Sequence, residues 1–529
     1  MTSGHRTEAA VDSDRPTGQL GPGTNPIPQA GRPAAGDPAA EETAANGSAT
    51  GATAAGPGAD AHSSRWSRAW TWFRHEGWVP TAGFLVVLAV LLSYSLHQYR
   101  TGRNYYDGAY FSQAAWLITH GQPPIVTIRG VHMFADHAYY VFYPIAWLTR
   151  PFPDPLPVLI VIQAVALAVA VFPLAVFARR VAGLGTRGVA VLLGAYALYP
   201  ALSNVNAAEY HPESTAVPLI IWGALLYSRQ RWVALFVVTV VVLTCREDLA
   251  IPVATAGVLM VLARRWRQGL VVVALAGVSL VVSLGFVIPG HAEGRDLVGD
   301  LYAQYGGSTT ALLSYAVRHP VGVFADLFSV TNLLVFIALL APVAFLSLAG
   351  WRWALPALPL QVLYLLSSRE SAHTILVQYV TQAIPFVFLG AAIGLGRVHG
   401  RRALALPLIG ASVMTWFSYT VVSPASDLHP WRPSGGFAES KQAAAAVVPD
   451  DAAVTATQGA WSVLAERQQL YPYPIADPNW YMPQPDLPVV PVCWAVVEKE
   501  SPILAQRPLD PAEWQLVRED DLIAVYRSC

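Results

Sequence analysis

The sequence predicts an all-α polytopic membrane protein, with interfacial helices in its first outer loop and a small α/β domain at its C-terminal end. Three observations carry this prediction. Charged residues make up only 13% of the chain, against about 25% in ordinary soluble domains. Apolar runs recur at 79–97, 156–178, 186–203, 214–228, 231–245, 249–264, 268–289, 326–349, 352–368, 376–396 and 402–422. That makes about eleven transmembrane helices, where a perpendicular span needs about 20 residues. The short links between the runs sort by charge onto two sides.

Residues 1–64 are rich in Ala, Gly, Pro, Thr and Ser. Such a stretch cannot bury enough apolar surface to offset its ordering entropy, so it reads as a disordered cytoplasmic tail. No apolar segment of signal-peptide type follows its start. A Trp- and Arg-rich collar, Arg65 to Trp78, leads into the first run. The runs at 214–228 and 231–245 are short, which suits tilted or broken helices lining a cavity.

Orientation has an internal test. With the N-terminus inside, the inner links hold Arg179, Arg180 and Arg187, then Arg229 and Arg231, then Arg264, Arg265 and Arg267, then Arg352, then Arg397, Arg401 and Arg402. Every short inner link is basic, as the positive-inside rule requires. The links 98–155, 204–213, 246–248, 290–325 and 369–375 then face outward in a plasma-membrane protein. The C-terminal segment 423–529 faces outward with them. Within 423–529, Val454–Thr457, Val492–Val497 and Leu522–Tyr526 read as strands and Gly459–Arg467 as a helix. An outward domain permits disulfides, and Cys493 and Cys529 beside the two late strands are a candidate pair. The net charge of −1 and the lack of a basic block argue against nucleic acid.

The apolar runs carry almost no ionisable residue near their midpoints, where ion-coupled transporters usually place them. The unusual charges sit at the outward ends instead. Asp107 opens an apparent helix over 109–118, and Tyr139 to Leu148 suggests a second; both are read as interfacial helices. Asp136 and His137 follow in the same loop. Glu209, His211 and Glu213 lie together, Arg246, Glu247 and Asp248 follow a fully apolar run, and Arg369 and His373 precede another. Each group also has a structural reading. Asp107 suits an N-cap, the loop pairs suit wet surface, and Arg246–Asp248 suits interfacial anchoring. Together they place carboxylates, His and Arg at one membrane level, a composition suited to general-base chemistry, to phosphate binding by Arg, or to a divalent metal.

Asp107, Phe111, Gln113 and Trp116 form one ordered set. Asp136, His137, Pro144 and Gln163 form a second, and Tyr210–His211–Pro212–Glu213 and Arg246–Glu247–Asp248 two more. With Leu464–Ala465–Glu466–Arg467 and Tyr471–Pro472, the chain resembles a bacterial and archaeal membrane family catalogued as domain of unknown function 2079. That family is similar to GT-C glycosyltransferases. The resemblance implies a polyprenyl-phosphate sugar donor, a glycan, lipid or protein acceptor, and Asp107 as the catalytic carboxylate. Arg246 and Arg369 would hold the carrier phosphate. Asp136, His137, Glu209, His211, Glu247 and Asp248 would shape the polar site or bind metal, and Gln113, Glu213 and His373 would join them in binding substrate or phosphate. Many such enzymes carry two adjacent acids here, whereas Asp107 stands alone: either Asp136 is the partner or none is needed. A transporter or lipid flippase, and a non-catalytic scaffold presenting its tail, are the competing readings.

Overall fold

Proline and left-handed residues decide where the apolar runs stay straight. The computed structural model describes residues 77–292, 299–398, 401–426, 435–475 and 491–529. The expected tail 1–64, most of the collar and much of the linker 423–436 lie outside them. Helix α1 (Trp78–Arg100) is unbroken. Its Pro80 sits in the first turn, where a missing N–H removes no helical bond. The first long link then supplies α2 (Tyr106–Thr119), the short antiparallel strands β1 (Ile125–Val126) and β2 (Val131–His132), and α3 (Phe142–Thr149).

Helix α4 (Leu156–Arg180) breaks at Ala170, because Pro173 has no N–H to donate and its ring crowds the preceding turn. Helix α5 (Thr186–Ala207) gives way at Leu198 and Tyr199, just ahead of Pro200. Helices α6 (Ala216–Ser228) and α7 (Trp232–Leu243) have 13 and 12 residues. At 1.5 Å per residue they are about 18–20 Å long, short of a hydrocarbon core about 30 Å thick. Helix α8 (Ala250–Leu262) is equally short, while α9 (Trp266–Ala292) is long enough to span. Helices α10 (Pro320–Leu327) and α11 (Val330–Val343) meet at 53°. Then come α12 (Leu358–Leu365), α13 (Ala383–Arg397) and α14 (Arg401–Tyr419).

Among the described residues four helices are long and apolar enough to cross a membrane, or five if the bent pair is one span. The expected eleven runs are thus helical, but they are not eleven straight spans. In 326–349, Ala344 and Phe345 adopt φ of 49° and 55°, and in 352–368 Pro356 and Pro359 interrupt the ladder.

The tail begins with α15 (Phe437–Ala445) and builds a five-stranded sheet. Its strands are β3 (Val454–Ala456), β4 (Leu470–Pro472), β5 (Trp494–Glu498), β6 (Gln515–Glu519) and β7 (Ile523–Arg527), in the order β4-β3-β5-β7-β6. Strand β3 runs parallel to β4 and β5, and β7 antiparallel to β5 and β6. The segment read as a helix over 459–467 is a short 3-10 turn at Gln458–Val463. Strand β6 escaped the sequence reading because nearly all its side chains are exposed, which erases the apolar alternation. Cys493 and Cys529 are bonded, with Cα atoms 5.2 Å apart, and staple the start of β5 to the end of β7.

The largest departure from expectation is α2. An interfacial helix keeps one face in lipid, yet α2 buries ten of its fourteen residues. Ala109, Phe111, Ala114 and Ala115 share one core with Trp461, Leu464, Val496 and Val525 of the tail, and the Tyr106 and Trp461 rings lie 6.0 Å apart. Lys441 of α15 is fully buried. It donates to the Gly102 carbonyl and lies 4.3 Å from the Phe437 ring, a cation–π contact. The tail is therefore packed onto the first long link, and both belong to the unit Arg65–Cys529.

Candidate active site

The first backbone N–H groups of a helix have no partner of their own. At α2 the N-cap residue is Tyr105, whose side chain caps nothing. The vacancy is filled from a hundred residues away. Glu209 accepts from the Tyr105 N–H at 2.6 Å, the Gly108 N–H at 2.5 Å and the Asn104 amide at 3.2 Å. A Cβ at position 108 would sit 3.2 Å from the Glu209 carboxylate, so glycine leaves room for this bond. Glu209 itself holds φ at 71°, an uncommon conformation for a residue with a side chain. Gln163 clamps that turn: its amide donates to the Glu209 carbonyl at 2.6 Å, and its oxygen accepts from the His211 N–H at 2.8 Å and the Ser214 hydroxyl at 3.0 Å.

Because Glu209 caps the helix, Asp107 is released from that duty. Its Oδ2 lies 3.6 Å from His211 Nε2, with the Asp107 side chain 31% exposed and that of His211 3%. Burial and the neighbouring Asp107 push the Glu209 carboxyl up to about 7, against three donors that favour its charge. Burial opposes charge on His211, but Asp107 outweighs it and raises the imidazole. Glu209→Ala is expected to lower stability by about 1–3 kcal/mol, since it strands buried donors. A drop in thermal midpoint in detergent, with partial recovery in Glu209→Gln, is the check.

Around Tyr106 the acidic end becomes mixed in charge. Arg129, Asp136, Asp107 and Arg369 all act electrostatically on its hydroxyl. Asp136 closes a one-turn helix, Met133–Asp136. Arg369 donates to the Tyr379 hydroxyl at 2.5 Å. Arg129 was not among the sequence candidates. It sits in the turn between β1 and β2, just before Gly130 at φ 74°, and the only signal was a Gly-terminated turn between two very short strands.

A second cluster lies where α7 ends and α8 begins. Arg246 is buried and holds three partners: Glu213 Oε1 at 2.9 Å, Asp248 Oδ2 at 3.1 Å and His137 Nε2 at 3.1 Å. Arginine has no lone pair to accept with. His137 Nε2 is therefore the acceptor, and the ring proton sits on Nδ1, donated to Glu247 Oε1 at 2.7 Å. The other Glu247 oxygen accepts from the Ala138 N–H at 2.9 Å, and Tyr364 donates to Asp248 at 2.5 Å. The clusters adjoin, for Glu213 and Arg246 both act on His211.

Several sequence candidates take other roles here. The guanidinium of Arg246 is committed to protein groups rather than left open for a phosphate. Gln113 is fully buried away from Asp107; its amide donates to Thr127 Oγ1 at 2.8 Å and to the Arg467 carbonyl at 3.2 Å. It ties α2 to the tail. His373 spends both ring nitrogens on Asn332 Oδ1 and the Ser367 carbonyl, at 2.7 and 2.9 Å. Among the described residues no three His, Cys, Asp or Glu side chains are grouped to hold a metal ion.

The family described as "Predicted membrane protein (DUF2079)" matches residues 100–508. The chain belongs to this family. The ordered DUF2079 residues thus become one construction: Gln163 holds Glu209, Glu209 caps Asp107's helix, and Phe111 packs its ring 5.3 Å from Tyr210 and 5.8 Å from His211 beneath the site. No curated protein matches the sequence. Among solved structures, ArnT from Cupriavidus metallidurans in the apo state is similar, with a TM-score of 0.53 and 14% identity. The similarity covers 86% of this chain and 98% of that one. At this identity the likeness shows a shared fold.

Proposed function

We infer that this DUF2079 protein is a membrane glycosyltransferase that moves a sugar from a polyprenyl-phosphate carrier to an acceptor hydroxyl. One observation carries the reading. Asp107, at the first turn of α2, is 31% exposed with only a 3.6 Å contact to His211, whereas Glu213, Glu247 and Asp248 are 3%, 7% and 17% exposed and bound into the Arg246–His137 cluster. A partly exposed carboxylate at a helix start, where Arg129 and Arg369 also act on the neighbouring Tyr106 hydroxyl, suits a general base next to a phosphate. The fold shared with ArnT fits the GT-C resemblance of the sequence and supports it.

In this mechanism the acceptor oxygen attacks the anomeric carbon of the donor sugar. The bond from that carbon to the carrier phosphate breaks, and polyprenyl phosphate leaves with the electron pair. The hydroxyl proton passes to Asp107. Arg369 and Arg129 offset the charge that develops on the phosphate, and His211 orients Asp107. Basic links at the opposite end of the helices favour an outer-face location for this chemistry.

The test uses the full chain in liposomes, polyprenyl-phosphate-linked sugars as donors and a membrane lipid and glycan extract as acceptor. Protein-dependent release of polyprenyl phosphate, with label appearing in the extract, is expected. Flux of the intact donor across the bilayer without sugar transfer would overturn the reading in favour of a flippase. Arg369→Ala is expected to raise the donor KM by about ten- to a hundredfold with a smaller change in kcat. That is the scale of one charge-assisted hydrogen bond.

A further inference from the structure

Away from Asp107, helices α6, α7, α8 and α13, with residues 351–356, line a partly open cavity of about 460 Å³. It exists because these helices do not close on one another. Gly257 and Gly269 bring α8 and α9 into backbone contact; a Cβ at Gly269 would lie 2.6 Å from the Gly257 carbonyl. Helix α8 is thereby held against α9, while Gly223 and Ala224 of α6 and Ala256 of α8 are too small to fill the space opposite. A Cβ on Gly223 would meet nothing nearer than 3.7 Å. The walls are almost wholly apolar. Among the described residues, Arg352 is the one charged side chain lining the cavity, beside Trp351 and Tyr227.

The same end of the molecule is strongly basic. The α6–α7 link carries Arg229 and Arg231, the α8–α9 link carries Arg264 and Arg265, and the first turn of α9 carries Arg267; these and Arg352 are all exposed. No acidic residue occurs in 225–235, 260–270 or 346–357. The positive-inside bias accounts for arginines in links. It accounts for Arg352 being on this side as well, but it does not set that Arg352 lines an apolar cavity between these helices. A dry apolar space in a bilayer suits hydrocarbon rather than water, and basic pockets between helices attract anionic lipid head groups.

We propose that this cavity is a binding site for an anionic phospholipid of the arginine-side leaflet, one acyl chain between α6 and α8 and the phosphate on Arg352. The site is separate from the sugar-transfer chemistry and stands whether or not that reading holds.

The test is native mass spectrometry of the full chain in detergent, titrated with phosphatidylglycerol or phosphatidylethanolamine of identical acyl chains. Phosphatidylglycerol adducts are expected at tenfold or more lower concentration. Arg352→Ala should remove that preference while keeping weak binding of both lipids, and Gly223→Phe should remove both adducts. Should Gly223→Phe fail to fold, Thr239→Phe, which also lines the cavity, makes the same test. Equal binding of the two lipids by the wild type, or undiminished adducts in the filled variant, would overturn the proposal. So would displacement of phosphatidylglycerol by equimolar polyprenyl phosphate, which would assign the cavity to a carrier tail.

Discussion

Asp107→Asn is expected to cut the rate of sugar transfer by roughly 10²- to 10⁴-fold, the usual contribution of a positioned general base, while leaving the protein folded. Both halves follow from the division of labour between two acids. Glu209 satisfies the N–H groups of Tyr105 and Gly108, so the start of α2 does not depend on Asp107. The amide of asparagine matches the carboxylate in shape but cannot accept the proton from the acceptor hydroxyl. It also removes the negative charge that raises the His211 imidazole. Expression and thermal midpoint should therefore stay close to wild type, since the isosteric amide keeps the side chain's volume and no buried backbone donor at this helix start depends on Asp107. A transfer rate within twofold of wild type would remove Asp107 from the chemistry. A variant that fails to fold would show instead that Asp107 supports the helix.

The membrane class and the gathering of charge at one set of helix ends were legible because both are local properties: apolar run length, and which residues flank a run. Asp107 at a helix start and the strands around Cys493 and Cys529 were legible for the same reason. What each charged residue does was not. The bonds that assign roles join residues far apart in sequence: Glu209 to Gly108, His137 to Glu247, Gln113 to Arg467. No spacing rule announces that Glu209 rather than Asp107 caps α2. Nor does amphipathic patterning reveal that the outer side of α2 is covered by Trp461 and its neighbours rather than by lipid. The small residues Gly108, Ala109, Ala114 and Ala115 were the available hint, since they permit close approach from more than one side. Arg129 stayed hidden because two-residue strands are too short to register as a period.

Arg246→Met gives the second large expected effect, and it falls on stability rather than on substrate affinity. The guanidinium neutralises Glu213 and Asp248 and holds His137 from a buried position. Removing one member of a buried ionic group typically costs about 3–5 kcal/mol, because the remaining charges lose their compensation without regaining water. Glu213 Oε2 and Asp248 Oδ1 are already buried without a hydrogen-bond partner, so the cluster has little reserve. Arg246→Lys should rescue only part of the loss, for a single ammonium cannot reach three partners set around a planar fork. Adding Glu213→Gln to Arg246→Met should restore some stability, a coupling that a double-mutant cycle isolates. The folded fraction recovered from detergent and its thermal midpoint are the readouts. If Arg246 instead served to grip a carrier phosphate, Arg246→Met would be recovered fully folded, with a raised KM for the donor and no coupling to Glu213. That pattern would overturn the structural role assigned to it here.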